Sequence, residues 1–451
     1  MATGILTSFE RILTELAELQ KPGAFEGLPK SFPSLLATGT DGSILVNANI
    51  DREIRVVADW LLEHRPSAKK QHTLKEWRTA VRNAVGPSLL RIDLDTPVAD
   101  QARELKKHVV AALDGAPRTI QSLLTSMGCS LLAEPLGAPL AIGPVLFESK
   151  TEWLARAERI GQVNGRMRKR LERSFSGHRL VKSRNARQRW VERAFLDVLL
   201  RPQLVCTVET QQLAFDLSQS RAIIGARLGQ AAIALLWRRP SSALEQFHLS
   251  VDPGPRQIQT VAHVPGREYL GGGRNVGCLT GPRLPKDEWD AMIKDARGLL
   301  DMAGRMIECW TSAAAYESAS PILRNMAQAL LFFSEACRDE NDLMAIVKFT
   351  AVLEALAQGK SAGITKLAKA RLGIKDGQKI VGDMNLDEVV EWIYSKGRSR
   401  TLHGTNPEIL HDWSDARAVA ESLTRHCLVA CMEWLGENPT ATEPKKLLLA
   451  G

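Results

Sequence analysis

The chain lacks the cysteine pattern of a disulfide-rich or metal-binding protein. Its seven cysteines are odd in number and scattered, and none belongs to a Cys-x-x-Cys pair. Such a set is not a disulfide framework, so the sequence predicts a protein of the reducing cytoplasm. Cys427 and Cys431, together with His426, resemble a fragment of a metal site. They share an apolar helical stripe with Leu423 and Trp434, however, so we expect two buried thiols.

Long uninterrupted apolar runs are also missing. The stretch 131–147 contains three prolines and a glutamate, and the stretch 222–237 contains Arg227 and is short for a bilayer span. Near the N-terminus, Glu10 and Glu15 interrupt what would have to be the apolar core of a secretory leader. The sequence therefore predicts neither a membrane span nor a leader.

Several catalytic and cofactor motifs are absent. The chain has no His-Glu-x-x-His, no clustered carboxylates for two metals and no Gly-x-Ser-x-Gly. The glycine run 271–273 lacks the Gly-Lys-Ser/Thr ending of a phosphate-binding loop, and we interpret it as a flexible loop. We expect no metal and no cofactor.

Positive charge is concentrated in one segment. The net charge is +8, yet residues 156–201 alone contain fourteen Lys or Arg against four acids. Cations placed near phosphates add salt-dependent, sequence-independent affinity, so this segment is a candidate RNA surface. The alternatives are a solvated helix face, or cations that pair with acids elsewhere in the fold. The predicted RNA contacts are Arg166, Arg168, Lys169, Arg170, Lys182, Arg184, Arg187 and Arg189.

Apolar periodicity and turn residues divide the chain into five parts and predict an α+β protein. We expect a mostly helical N-terminal region, a basic helical segment, a β-rich section, a C-terminal all-α bundle and a flexible tail. Within the β-rich section, periodicity leaves 222–237 open between a buried helix and a strand. Ser414 or Asp415 is expected to cap the last helix. The five parts are 1–149, 150–202, 203–285, 286–436 and 437–451.

An arginine and a histidine lie close together between two predicted helices of the C-terminal part. Arg398 carries a permanent charge that matches phosphate oxygens, and His403 can transfer a proton near neutral pH. This pair is sufficient in principle for metal-free RNA cleavage. The alternative is that both residues only cap a helix end and contact carbonyl groups.

The pattern Tyr394, Arg398, His403, Gly404 resembles the motif of the HEPN superfamily, and within it the Apea-like HEPN proteins of bacteria. The helix around Glu354 is similar to the glutamate-bearing helix that precedes the motif in that family. The likeness covers roughly the last third of the chain. It implies a helical bundle in which Arg398 and His403 are catalytic, while Glu354, Tyr394 and Arg400 support them.

The resemblance further implies a metal-independent endoribonuclease that leaves 2′,3′-cyclic phosphate ends. Family members generally form homodimers through this domain, and they commonly serve antiviral defence or toxin systems under an activating signal. One position departs from the pattern. The residue after the arginine is often Asn, Asp or His, and here it is Ser399. A non-catalytic HEPN-like module for RNA binding or dimerisation is therefore the alternative.

Overall fold

The structure, a computed structural model, divides the chain into two compact units. They comprise 1–123 with 211–220, and 124–210 with 221–451. Helices make up 64% and strands 11% of the described residues, which confirms the expected α+β class. Among the described residues, no helix combines the length and apolar character needed to cross a bilayer. The described residues are 2–21, 34–39, 42–93, 95–115, 119–133, 136–178, 185–200, 202–252, 257–259, 264–266, 274–276 and 281–449.

The first unit packs helices around its own apolar core. Phe9 and Ile12 are buried together with Val57 and Leu105, as the amphipathic spacing of these helices predicts. A capping box at Thr73 and Glu76 starts one of the helices. The elements are α1 (Ala2–Leu19), β1 (Ser34–Ala37), β2 (Ser43–Val46), α2 (Ala48–Glu63), α3 (Pro66–Gln71), α4 (Leu74–Leu89) and α5 (Val98–Asp114).

The second unit begins with a five-stranded sheet in the order β4-β5-β6-β3-β7. Three of its strands precede residue 150, so the β structure begins earlier than the predicted section 203–285. A separate pair, β8 and β9, is also present. The elements are β3 (Leu123–Ser130), β4 (Leu140–Ile142), β5 (Val145–Ser149), α6 (Lys150–Arg159), α7 (Gly165–Phe175), α8 (Ala186–Leu199), β6 (Leu204–Thr210), α9 (Phe215–Ala234), α10 (Pro240–Leu244), β7 (His248–Leu249), β8 (Gln257–Gln259) and β9 (Arg274–Val276).

The stretch left open between helix and strand is helical. Its residues 222–234 form most of α9. Gly229 lets α9 lie against the sheet, since a Cβ there would come within 3.1 Å of Val145 Cγ1. Ala222, Ala226 and Ala231 are also buried. A helix buried on several faces has no single apolar stripe, so its periodicity is lost.

The rest of the second unit is helical apart from one short hairpin. Helix α15 packs against α14, α16, α19 and a π-helix, Glu391–Ser399. The elements are α11 (Lys286–Asp295), α12 (Arg297–Thr311), α13 (Ala313–Ser318), α14 (Pro321–Cys337), α15 (Asp342–Ala357), α16 (Ser361–Leu372), β10 (Lys379–Val381), β11 (Met384–Asn385), α17 (Leu386–Val390), the π-helix, α18 (Arg400–Leu402), α19 (Ser414–Glu437) and a 3₁₀ helix (Pro444–Leu448).

The C-terminal end differs from expectation in two places. Ser414 is the first residue of α19 rather than its cap, and its backbone N–H donates to Asp412 Oδ1. Part of the tail expected to be flexible forms the 3₁₀ helix. Leu447 there is fully buried, and Arg371 donates to its carbonyl at 3.0 Å. The burial of Leu447 and its contact with the Arg371 guanidinium therefore fix a segment that composition alone predicted to be flexible.

The cysteine prediction is confirmed for α19. Cys427 and Cys431 are both fully buried. Burial raises the pKa of Cys427 well above its usual value and that of Cys431 to about 12. Such thiols are poor ligands and nucleophiles at neutral pH. Among the described residues, no group of three or more His, Cys, Asp or Glu side chains is placed to hold a metal ion. Cys278 lies outside those residues.

The burial pattern predicts which leucines stabilise the second unit. Leu428 on α19 is fully buried, whereas Leu449 is 62% exposed. Leu428→Ala should lower the free energy of unfolding by about 2–5 kcal/mol, because it removes buried atoms and leaves a cavity. Leu449→Ala should change it by less than about 0.5 kcal/mol. Urea unfolding measures both, and equal losses would contradict the assigned core.

Candidate active site

Helix α15 presents Glu354 on its partly exposed face. The neighbouring Leu353 and Val352 are fully buried, which fixes the rotation of the helix. Asn341 starts α15 by accepting a hydrogen bond from the Met344 N–H. Glu354 lies near the other end, with its side chain 23% exposed. The carboxylate is therefore held at the surface by a helix whose opposite side belongs to the core.

The π-helix carries Tyr394 and Arg398. π-helical turns are rare and frequently occur at functional sites. Gly397 is buried within this helix, and a Cβ at that position would come within 2.9 Å of Ile346 Cγ2 on α15. Glycine thus permits the π-helix to lie close against α15, beside Glu354.

Glu354 binds both side chains at once. The Tyr394 hydroxyl donates to Oε1 at 3.0 Å, and Arg398 Nη2 donates to Oε2 at 2.8 Å. The guanidinium also lies over the Tyr394 ring, 5.2 Å from its centroid. These contacts leave Arg398 with further donors, and its buried Nε has no acceptor within the described part of the chain. Glu354 therefore orients the arginine, while some hydrogen-bond donors of the guanidinium remain without an acceptor among the described residues.

His403 is exposed at the end of α18. Its backbone N–H donates to the Ser399 carbonyl at 3.1 Å, while its ring makes no hydrogen bond to any described residue. Gly404 adopts φ +65°, its N–H donates to Thr401 O, and the Thr405 N–H donates to Arg400 O. This double pattern is a Schellman motif, which explains the glycine after the histidine.

The helix-capping alternative does not fit these side chains. Arg398 donates to a carboxylate rather than to a carbonyl, and the His403 ring is not bonded to backbone. Lys396 and Arg400 are exposed beside the motif. His411 is also exposed and contacts Trp413 edge to face at 5.4 Å.

Exposed apolar side chains precede and follow the histidine in the sequence. Leu402 precedes His403 and is 52% exposed. Ile409 and Leu410, in the loop that follows, are 69% and 97% exposed. Large apolar side chains this exposed are a feature of surfaces that another molecule covers when they form one patch.

The predicted RNA contacts of the basic segment separate into cations bound to carboxylates and cations that are exposed. Arg168 bonds Glu158 at 2.6 Å and Glu172 at 2.8 Å, and the bond to Glu158 is the main reason that its pKa is raised. Arg170 pairs with the buried Glu192, which raises the arginine pKa. These two predicted RNA contacts instead link α6, α7 and α8.

The remaining predicted RNA contacts are placed differently. Arg166, Lys169, Arg187 and Arg189 are exposed. Lys182 and Arg184 lie outside the described residues. Sequence reasoning did not single out Trp190, which is 73% exposed on α8. Its position among arginines in the sequence is the signal that could have identified it as a candidate.

A cavity of about 1250 Å³ opens elsewhere in the second unit. Trp392 of the π-helix lines it together with residues of α19 and of the β10–β11 hairpin, whereas Arg398 and His403 do not. Because the cavity does not include Arg398 or His403, we locate the candidate site at the exposed motif rather than in this cavity.

No family model, no curated protein and no solved structure matches the chain. The residues of the motif and the geometry around Glu354 are therefore the observations from which a function can be inferred.

Tyr394 gives a direct test of the contact with Glu354. Burial raises the pKa of Tyr394, and the hydrogen bond to Glu354 raises it further. Because the folded pKa lies above the unfolded value of about 10, the protonated phenol stabilises the fold below that pH. This stability is lost as pH rises through the folded pKa. A titration of phenolate absorbance should show a late transition that Tyr394→Phe removes and Glu354→Gln shifts back towards the usual value. A wild-type transition at the ordinary tyrosine pKa would refute the contact.

Proposed function

We propose that the protein is a metal-independent HEPN endoribonuclease with Arg398 and His403 as its catalytic residues. The observation that carries the proposal is the contact of Arg398 with Glu354, which orients the guanidinium and leaves donors for a phosphate. The exposed imidazole of His403 follows five residues later, with its ring free of hydrogen bonds to described residues.

The proposed reaction is an in-line transesterification. The 2′-hydroxyl loses its proton, its oxygen forms a bond to the adjacent phosphorus, and the bond from phosphorus to the 5′-oxygen breaks. The departing 5′-oxygen receives a proton, and the other fragment keeps a 2′,3′-cyclic phosphate. His403 transfers one of these protons, and Arg398 stabilises the charge that develops on the phosphate oxygens.

A homodimer would supply the second proton-transfer group. One imidazole cannot at the same moment accept the 2′-hydroxyl proton and deliver another to the leaving oxygen. Two motifs facing one cleft would provide both groups. The exposed Leu402, which directly precedes His403, and the exposed Ile409 and Leu410 of the following loop support an interface there, since a dimer would remove them from water.

The supporting residues have separate roles. Glu354 and Tyr394 position Arg398, whereas the exposed Arg400 would contact the RNA backbone. Arg166, Lys169, Arg187 and Arg189 would supply affinity for phosphates. We assign Arg168 and Arg170 to helix packing, because carboxylates already occupy them. The proposed cellular setting is the cytoplasm, in antiviral defence or a toxin system that an activating signal turns on.

The alternative function is a non-catalytic HEPN-like RNA-binding or dimerisation module. Ser399 favours it, because this position often carries Asn, Asp or His in active relatives of the motif. The same surface would then bind RNA without cutting it, and only an assay of cleavage separates the two functions.

Removal of either catalytic side chain should abolish cleavage. His403→Ala should lower the rate roughly 10²–10⁴-fold, because it removes a positioned proton-transfer group. Arg398→Ala should also inactivate the protein, since it removes the charge that stabilises the transition state. The measurement is cleavage of total bacterial RNA by the purified protein.

His426→Ala is the matched control, because His426 is an exposed histidine of the same unit whose Nδ1 already contacts the Ser422 carbonyl. Full activity in both the His403→Ala and Arg398→Ala proteins would refute the catalytic assignment. RNA binding by the wild type without cleavage would favour the alternative function.

Cleavage should survive chelation of divalent ions. EDTA should leave the rate unchanged, because Arg398 and His403 perform charge stabilisation and proton transfer without a metal. The 5′ fragments should resist end-labelling chemistry until their cyclic phosphates are opened. Loss of cleavage in EDTA that returns on addition of magnesium or manganese would contradict the mechanism.

A further inference from the structure

We propose that the outer face of α8, centred on Trp190, is a stacking platform for unpaired RNA bases. The choice of RNA as the ligand rests on the function proposed above. The inference deepens that function by naming its substrate class, which is single-stranded RNA bound by base stacking without a strong sequence preference.

Trp190 differs from every other tryptophan of the chain. The sequence has ten, all lying within the described residues, and only Trp190 is exposed. Its exposed fraction is 73%, compared with 0% for Trp153 in the neighbouring helix α6. A large aromatic ring left in water is the feature that base stacking uses in proteins that bind single strands.

Arginines flank this ring on the same side of the helix. Arg187 and Arg193 lie three residues before and after Trp190, a spacing that makes side chains neighbours on a helix surface. Arg187 forms no ion pair within the described residues. Arg193 lies 3.5 Å from Asp197, and both side chains are largely exposed, so this pair is weak.

The acids of the segment do not neutralise this face. Glu192 is buried against Arg170, and Glu158 and Glu172 are engaged by Arg168. Asp197 is the remaining acid of the four. The face therefore presents an aromatic ring between cations whose charge is largely uncompensated.

This combination fits an unpaired nucleic acid better than a protein partner. Ala186 and Ala194, four residues either side of Trp190, are small, so the ring has no large apolar neighbour at these positions of α8. A protein interface normally surrounds its aromatic anchor with a cluster of apolar side chains. A base can stack on the ring while its flanking phosphates meet the arginines. A duplex conceals its base faces and cannot bind in this way.

The test is a binding experiment in the His403→Ala background, so that no RNA is cut. The probes are a short unstructured pyrimidine RNA and an RNA duplex of equal length, each followed by fluorescence anisotropy. Trp190→Ala should weaken binding of the single strand roughly ten- to a hundred-fold, which corresponds to the loss of one stacked base. Its affinity for the duplex should be unchanged. Trp190→Phe should retain most of the affinity, because an aromatic face remains.

Two further variants separate stacking from charge. The double variant Arg187→Gln, Arg193→Gln should weaken the binding of both RNAs. It should also flatten the salt dependence of that binding by about one unit of slope for each lost phosphate contact. Leu200→Ala removes another exposed apolar side chain just beyond the same helix and should change neither affinity. Circular dichroism of each variant confirms that the helices remain folded.

Failure of this inference can be distinguished from failure of the proposed nuclease. The platform is overturned, even if the wild type cuts RNA, if Trp190→Ala binds the single strand as tightly as the parent protein does. It is also overturned if the substitution changes the oligomeric state and not the binding of the single strand. Selective loss of single-strand binding supports the platform even if the wild type cuts nothing. Absence of RNA binding by the parent protein overturns it as well.

Discussion

The geometry of the candidate site depends on one carboxylate. Glu354 accepts hydrogen bonds from both Tyr394 and Arg398, and these bonds join α15 to the π-helix. Hydrogen bonds to charged groups typically contribute about 1.5–3 kcal/mol each, and more is lost when a partly buried charge is left without its partner. Without Glu354, Arg398 would keep its partly buried position and lose its only ion-pair partner among the described residues. The orientation of the arginine, and with it the proposed chemistry, therefore depends on this contact.

In the basic segment, ion pairs between arginines and carboxylates have a structural role. The sequence shows an excess of ten cations over acids between 156 and 201, but it does not show which of these cations form ion pairs with carboxylates. In the folded protein, Arg168 and Arg170 are bound to carboxylates of the same segment, and Arg156 is bound to the buried Glu148. Structural ion pairs thus use part of the positive charge, while Arg166, Lys169, Arg187 and Arg189 are exposed on α7 and α8.

Backbone geometry explains why the motif has its particular residues. Gly397 allows close approach to Ile346, and Gly404 supplies the positive φ that ends α18 directly after His403. A side chain at either position would change the position of the catalytic candidates without touching them. The sequence predicted a helix before the motif but not its π-helical form, and this π-helix packs against α15 and α19.

Sequence alone determined the features that depend on local pattern. Amphipathic spacing predicted the buried thiols of α19, apolar periodicity and turn residues predicted the α+β class, and the residue types at 398 and 403 predicted the candidate chemistry. Tertiary structure decided what depends on contacts between distant residues. The helical state of 222–234 follows from burial on several faces, which erases periodicity. The contact between Glu354 and Arg398 joins residues 44 positions apart. The division of arginines into paired and exposed sets depends on which carboxylates the fold brings within reach, and no local pattern records that distance.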